Sequence, residues 1–111
     1  MIIYKICPKT EWQDACRTGL YMGSLDDARD GFIHFSTREQ VMGTLAKHFA
    51  GQSDLLLLAI DVSQLNPQDL KYEGSIGGKK YPHLYGSLCP SAVKEYYIIG
   101  LSDVGEHMVD F

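Results

Sequence analysis

The chain has 111 residues, which suits one domain, and it carries a formal net charge of −4. This acidic balance argues against binding to extended nucleic acid, because such binding needs a basic surface that displaces counterions from phosphates. The longest apolar run, residues 55–60, is too short to span a bilayer, and no basic-then-apolar leader precedes the first strand. We therefore expect a single soluble, cytoplasmic domain over residues 1–111, with no membrane partner.

The N-terminal region is predicted to contain one strand and one helix. β-Branched and aromatic residues indicate a strand over residues 2–6. Thr10 and Gln13 have the spacing of a capping box, which predicts a helix over residues 11–18 that ends at Gly19.

The next segment is predicted to run from an acidic connection into a strand and a helix. Residues 24–31 are rich in Asp and indicate a polar connection, and a short strand is expected at residues 32–35. Ser36 and Glu39 form a second capping box, so that a helix should begin directly after this strand. The apolar face of that helix repeats at helical spacing and comprises Val41, Leu45, His48 and Phe49.

The remaining strands are predicted at residues 54–61, 70–73 and 93–101. The continuous apolar run at 54–61 is typical of a strand that is buried on both faces. Residues 74–80 contain three glycines and are predicted to form a flexible loop. The predicted fold class is α+β, with two main helices and a bent, split, mixed or mostly antiparallel sheet, because the strands are too few and too unevenly spaced for a doubly wound parallel sheet.

The segment GFIHFS at residues 31–36 is the first candidate for a site. Side chains alternate across a strand, so that Ile33 and Phe35 should face the core. His34 and Ser36 should then face solvent or a cleft, together with Phe32. A helix that began at Ser36 would add unpaired backbone N–H groups, which bind anions. The alternative is that Ser36 is only a helix cap and His34 a structural histidine.

The segment YPHLYG at residues 81–86 is the second candidate. Pro82 favours an extended conformation for Tyr81, so that His83 and Tyr85 should share a face. Both rings can stack on a planar ligand and form hydrogen bonds at their tips. The two lysines before this segment would supply a mobile basic lid. The alternative is a surface turn whose aromatic side chains pack on the domain.

Other known motifs are excluded by the identity or the spacing of their residues. The glycine-rich stretch at 74–80 departs from the phosphate-loop pattern, because Glu73 stands at its first Gly and Lys80 at its Ser or Thr. The four histidines have no H-x-H or H-E-x-x-H spacing, and the three cysteines form no C-x-x-C pair. No metal site is therefore predicted.

The chain resembles a small bacterial family of uncharacterised proteins, the domain of unknown function 952. The resemblance covers nearly the whole chain. It rests, in order, on IYKI at residues 3–6, Trp12, GFIHFS at 31–36, the strand at 55–61 and YPHLYG at 81–86. The fold of that family is similar to the fold of ADP-ribosyltransferases, which hold NAD in the cleft of a split, strongly bent sheet.

This resemblance implies a set of ligand-binding residues. Lys5 stands where the superfamily often has a basic or polar ligand contact on its first strand. His34 and Ser36 would line the nicotinamide side, and His83 and Tyr85 would face the same cleft from a later loop. The implied ligand is NAD, as a substrate rather than a resident cofactor, or a related nucleotide.

Three functional hypotheses follow. The leading one is an ADP-ribosyltransferase-like protein that binds NAD or a related nucleotide in a cleft lined by His34, Ser36 and His83. The glutamate pattern that often assists the loss of nicotinamide is absent around Glu95 and Glu106, so that no catalytic residue is predicted. The second hypothesis is a non-catalytic module for a small ligand or a protein. The third is a metal-dependent enzyme that uses His34 and His83, which their spacing supports poorly. We expect the two histidines to lie in one cleft, partly exposed and about a ligand's width apart.

Overall fold

The larger of two antiparallel sheets contains four strands: β1 (Ile2–Pro8), β3 (Leu55–Asp61), β6 (Val93–Leu101) and β7 (His107–Met108). The structure is a computed structural model that describes residues 1–74 and 78–111. The strands lie in the order β1-β3-β6-β7. The first three confirm the strands predicted at these places, and β7 lies in a tail for which no element was predicted.

The central strand β3 is buried on both faces, as its continuous apolar sequence predicts. Its side chains alternate between two hydrophobic clusters. The members that enter the first cluster are Leu56, Leu58 and Ile60, beside Ile33 and Leu84 of the smaller sheet. The members that enter the second are Leu55, Leu57 and Ala59, beside Val41 and Leu45. β3 therefore joins both halves of the core.

The smaller sheet contains β2 (Ile33–His34), β5 (Lys80–Leu84) and β4 (Leu70–Gly74), in the order β2-β5-β4. Both of its pairings are antiparallel. The α+β class is thus confirmed, with two antiparallel sheets. Residues 75–77 of the loop predicted between β4 and β5 lie outside the described residues.

The first helix, α1 (Lys9–Thr18), begins earlier than its predicted capping box. Pro8 precedes it, and no side chain caps its N-terminus. The backbone N–H of Lys9 donates instead to the carbonyl of Asp54 at 2.8 Å, because β1 runs directly into the helix. The prediction that Thr10 caps α1 is therefore wrong, whereas Gly19 ends the helix as predicted, in the left-handed conformation.

The predicted acidic connection contains a helix, α2 (Leu25–Asp30). The Ser24 hydroxyl accepts from the N–H of Asp27, and the Asp27 carboxylate accepts from the N–H of Ser24. This reciprocal pair is a capping box in which Asp replaces the more usual Glu or Gln. The predicted plain connection is wrong, because the Asp residues do not serve only as solvated turn formers: Asp27 caps a helix.

The third helix, α3 (Val41–His48), does not begin at Ser36. A 3₁₀ turn (Arg38–Gln40) precedes it, and the N–H of Thr37 donates to the Gln40 side chain at 3.0 Å. The predicted Ser36 cap is wrong, and so is the anion site that it implied. The reason is that the backbone of Ser36 already bonds to another strand.

That bond is the bridge between the two sheets. Tyr4 and Ser36 exchange both backbone hydrogen bonds at 2.8 Å. In an antiparallel ladder, the next rung would join Ile6 to His34. The N–H of His34 instead donates to the Asp27 carboxylate at 3.1 Å. In the part of the chain that the structure describes, the ladder stops after one bridge, and the sheets separate.

No helix within residues 1–74 and 78–111 has the length and apolar character that crossing a membrane would require.

The two-sided burial of β3 predicts that its two faces are equally sensitive to truncation. Leu57→Ala and Leu58→Ala should each lower the free energy of unfolding by about 2–5 kcal/mol, because each removes a side chain that is fully buried in a different cluster. Leu25→Ala is the control, since Leu25 is 90% exposed. Urea unfolding measures all three, and a small loss for either β3 variant would contradict burial on that face.

Candidate functional site

A cleft of about 450 Å³ opens beside the bridge, where β1 and β2 separate. Lys5 and Ile6 of β1 line it together with His34 of β2 and the adjacent Phe35. α2 approaches from the side of β1 that carries Lys5, whereas α3 packs on the opposite side of the strand. The two helices therefore form different walls of the cleft.

The carboxylate of Asp27 lies at the base of the α2 wall and accepts four hydrogen bonds. Oδ2 accepts from the Lys5 ammonium at 2.9 Å and from the Ser24 N–H at 2.8 Å. Oδ1 accepts from the His34 N–H at 3.1 Å and lies 2.6 Å from the Nδ1 of the same residue. Asp27 is only 2% exposed, so that these contacts replace nearly all of its hydration.

The Lys5–Asp27 pair is buried, and its charges stabilise each other. Burial by itself would raise the pKa of Asp27, since it disfavours the charged form. The neighbouring Lys5 ammonium and the hydrogen bonds from Lys5, Ser24 and His34 outweigh this effect and hold the pKa of Asp27 below its ordinary value. The carboxylate is therefore ionised at neutral pH.

The imidazole of His34 is held between two carboxylates. Its Nδ1 contacts Asp27, and its Nε2 lies 3.1 Å from Asp30 Oδ2. A hydrogen bond from Arg29 lowers the pKa of Asp30 below its ordinary value, and the charges of Arg29 and His34 add to this effect, whereas desolvation opposes it. Only a ring that carries protons on both nitrogens can donate to both carboxylates at once. Asp27 thus fixes the orientation of the ring.

His34 and His83 are cross-strand neighbours. They are partners in the β2–β5 register, and the Phe35 N–H donates to the Pro82 carbonyl at the next position. The histidines therefore form the non-hydrogen-bonded pair, in which side chains approach most closely. Their ring centroids are 5.4 Å apart, and the Phe32 ring stacks on His83 at 4.1 Å.

Glu73, on the neighbouring strand β4, contacts the imidazole of His83. Its Oε1 lies 2.8 Å from His83 Nδ1 and accepts from the Tyr85 hydroxyl at 2.6 Å. The hydrogen bonds from Tyr85 and His83 lower the pKa of Glu73, and the same carboxylate raises the pKa of Tyr85. Each histidine of the pair thus contacts a different carboxylate through its Nδ1.

Ser36 lines the cleft, as its place on the strand predicts, but it is buried rather than exposed. It is 3% exposed, and its hydroxyl lies 3.0 Å from that of Thr44. The Thr44 hydroxyl donates to the Gln40 carbonyl, and therefore Ser36 donates to Thr44. The Ser36 hydroxyl thus uses its proton within the protein, and its oxygen can still accept a hydrogen bond.

The structure brings four of the five predicted site residues to the cleft: Lys5, His34, Ser36 and His83. Tyr85 is absent from the described residues that line the cleft, although its ring centroid lies 5.1 Å from that of Phe32. The two histidines share the cleft as expected, but they touch each other, so that the predicted separation of a ligand's width is wrong. The ligand-binding roles of all five residues remain predictions.

Sequence reasoning missed all three carboxylates that contact the histidines, Asp27, Asp30 and Glu73. Asp27 stands three residues after Ser24, a spacing that could have indicated a capping box. Glu73 has no local signal, because it meets His83 only through the β4–β5 pairing. Within residues 1–74 and 78–111, no three His, Cys, Asp or Glu side chains are grouped closely enough to hold a metal ion.

Removal of the Asp27 charge should be costly. Asp27→Asn should lower the free energy of unfolding by about 3–5 kcal/mol, because the Lys5 ammonium would stay buried without its counter-charge. Asp26→Asn is the control on the same helix, since its side chain is 73% exposed and its loss should cost less than about 0.5 kcal/mol.

The same pair of variants tests the pH dependence. Because folding lowers the pKa of Asp27 from its ordinary 3.8, its stabilisation is present at neutral pH, declines as the pH falls toward 3.8 and is lost below the folded-state value. When urea unfolding is measured from neutral to acidic pH, the free energy of unfolding should fall less for Asp27→Asn than for the unmodified chain. An equal loss would contradict this role.

Position 23 should require glycine, because Asp27 occupies the space that a side chain at this position would need. Gly23 has a φ of 99°, and an added Cβ would lie 2.7 Å from the Asp27 Cβ. Gly19 also has a positive φ, but a Cβ there meets nothing within 4 Å. Gly19→Ala should cost about 1–2 kcal/mol for the backbone conformation alone, and Gly23→Ala about 1–3 kcal/mol more. Equal losses in thermal unfolding would show that Asp27 does not restrict this position.

Comparison with known proteins identifies close structural relatives. The crystal structure of protein CC0527 from Caulobacter crescentus has 42% sequence identity, covers 97% of this chain and 94% of its own, and superposes with a TM-score of 0.91. The solution NMR structure of CC0527 has 43% identity, covers 94% of this chain and 89% of its own, and gives a TM-score of 0.81. No curated protein matches the chain.

The sequence pattern of one family matches residues 6–96, which is most of the chain and includes every segment on which the resemblance rests except residues 3–5. The chain therefore belongs to the family described as protein of unknown function (DUF952).

Proposed function

We propose that this protein is ADP-ribosyltransferase-like and binds NAD or a related nucleotide in the cleft between its sheets. The observation that carries the proposal is the position of the cleft, which opens where a split antiparallel sheet separates after one bridge. Its volume of about 450 Å³ lies in the range of small-molecule sites. The sequence resemblance associates a split sheet of this kind with NAD.

The side chains in the cleft suit a nucleotide. His34 and His83 offer planar rings and ring nitrogens, which can stack on a base and form hydrogen bonds with it. Each ring is already oriented by a carboxylate, so that binding would require little further ordering. The Ser36 oxygen adds an acceptor for a hydroxyl or an amide of the ligand.

The Lys5–Asp27 pair would act mainly by positioning. Lys5 is 5% exposed and gives its hydrogen bond to Asp27, which in turn orients His34. Lys5 lies at the edge of the cleft, where its charge would reach a ligand without direct pairing. In this proposal, direct contacts come from His34 and His83.

The second candidate is a non-catalytic binding module on the same fold. Glu95 is exposed on β6 and accepts from the Tyr97 hydroxyl, and Glu106 lies in the tail. Among the described residues that line the cleft, neither glutamate occurs. This arrangement favours binding without the transfer reaction that a late glutamate often assists.

Calorimetric titration with NAD tests the proposal. The unmodified chain should bind NAD saturably, and His34→Ala or His83→Ala should weaken the affinity by about two- to tenfold through the loss of one hydrogen bond. His107→Ala is the matched control, because His107 lies in β7 and contacts the Gln52 carbonyl away from the cleft. Loss of affinity in the control alone would place the site elsewhere.

Chromatography of the same mixtures separates the two candidates. Release of free nicotinamide by the unmodified chain would identify an enzyme that cleaves the bond between nicotinamide and ribose. Saturable binding without release would identify a module. An unmodified chain that binds neither NAD nor ADP-ribose would contradict both nucleotide proposals.

A further inference from the structure

Gly43 on α3 has no structural reason to be glycine. It lies within the helix without a positive φ, and an added Cβ would meet nothing within 4 Å. Glycine in a helix interior is destabilising relative to alanine, because it loses more backbone entropy on folding. Gly43 does line the cleft, where the missing side chain leaves bare helix surface beside open space.

The same face of α3 carries positive charge. Gly43 and Lys47 are four residues apart, as are Thr44 and His48, so that the four form two adjacent rows on one helix face. All four line the cleft. Among the residues that the structure describes, Lys47 and His48 form no ion pair, and both are exposed. The α3 wall therefore offers a cation that no carboxylate neutralises.

The α2 wall has the opposite charge. Asp26 and Asp30 line it, and Arg29 pairs with both at 3.1–3.3 Å. Asp26 and Asp30 with one guanidinium leave a net negative charge, whereas the charge of Asp27 is balanced by the Lys5 ammonium. An anion at this wall would be repelled, whereas a cation would be attracted.

We infer that, if the cleft binds NAD as proposed above, the α3 wall receives its phosphates and the α2 wall receives its nicotinamide end. The pyrophosphate of NAD is doubly negative, and the nicotinamide ring is positive while it is bonded to ribose. Lys47 and His48 then pair with the phosphates, and Gly43 lets them approach the helix. The ring lies against His34 and Asp30.

The charge part of the inference is tested with Lys47→Gln. This variant should weaken NAD binding by about tenfold or more, since a hydrogen bond between two charged groups is lost, and it should leave nicotinamide riboside, which has no phosphate, unchanged. Lys94→Gln is the matched control, because Lys94 is exposed on β6 and outside the cleft lining. Equal weakening of both ligands by Lys47→Gln would overturn the assigned orientation.

The space at Gly43 is tested with Gly43→Leu. Leucine favours a helix, and its Cβ would meet nothing within 4 Å, so that the melting temperature should rise by a few degrees. The affinity for NAD should nevertheless fall at least tenfold, because the side chain fills the space for the phosphates. Ala46→Leu is the control on the same helix, since Ala46 is exposed but does not line the cleft. Unchanged affinity in Gly43→Leu would overturn this role.

Inorganic pyrophosphate separates this inference from the proposed function. In NMR titrations, it should shift the backbone amide signals of Gly43, Thr44 and Lys47, and Lys47→Gln should abolish the shifts. If it does so while NAD does not bind, the anion-binding wall stands and the nucleotide proposal fails. If NAD binds in the cleft while pyrophosphate leaves these signals unchanged, the nucleotide proposal stands and the assignment of the α3 wall fails.

Discussion

The buried carboxylate of Asp27 is the point at which three segments of this chain meet. It accepts from the Lys5 ammonium on β1, from the Ser24 N–H at the start of α2 and from the His34 N–H on β2. A buried charge is tolerated only when it is paired and hydrogen-bonded, and here both oxygens have two partners. Because Asp27 occupies the N–H of His34, the β1–β2 ladder cannot extend to Ile6. The carboxylate that ties α2 to the sheets therefore also keeps the sheets apart.

The histidine pair depends on this arrangement. The β2–β5 register makes His34 and His83 a non-hydrogen-bonded pair, which brings their rings into contact. Asp27 holds one ring and Glu73 the other, and Phe32 lies against both. The two imidazoles are therefore held in place by the protein's own side chains. Such preorganisation reduces the ordering that binding requires.

The two walls of the cleft differ because they belong to helices on opposite sides of β1. α2 is tied to the sheets through a buried ion pair and carries a surplus of carboxylates at the cleft. α3 packs through Val41 and Leu45, which leaves Lys47 and Gly43 on its other face. A dipolar ligand would experience opposite charges at the two ends of this cleft. The fold shared with CC0527 provides the frame, and the charged side chains of this chain determine the polarity.

Local sequence determined the elements whose signal is short-range. The apolar run of β3 predicts a strand with two buried faces, and the alternation in the next segment correctly predicts that Ile33 and Phe35 are buried while His34 stays partly exposed. Only the tertiary structure shows that Asp27 and Ser36 are buried. The Asp-rich segment predicts a solvated connection, because the cation that allows Asp27 to be buried lies 22 residues earlier. Ser36 stands at the spacing of a capping box, but its backbone groups pair with Tyr4 on a distant strand. Burial of a polar group depends on partners that are far apart in the chain, and no local pattern contains them.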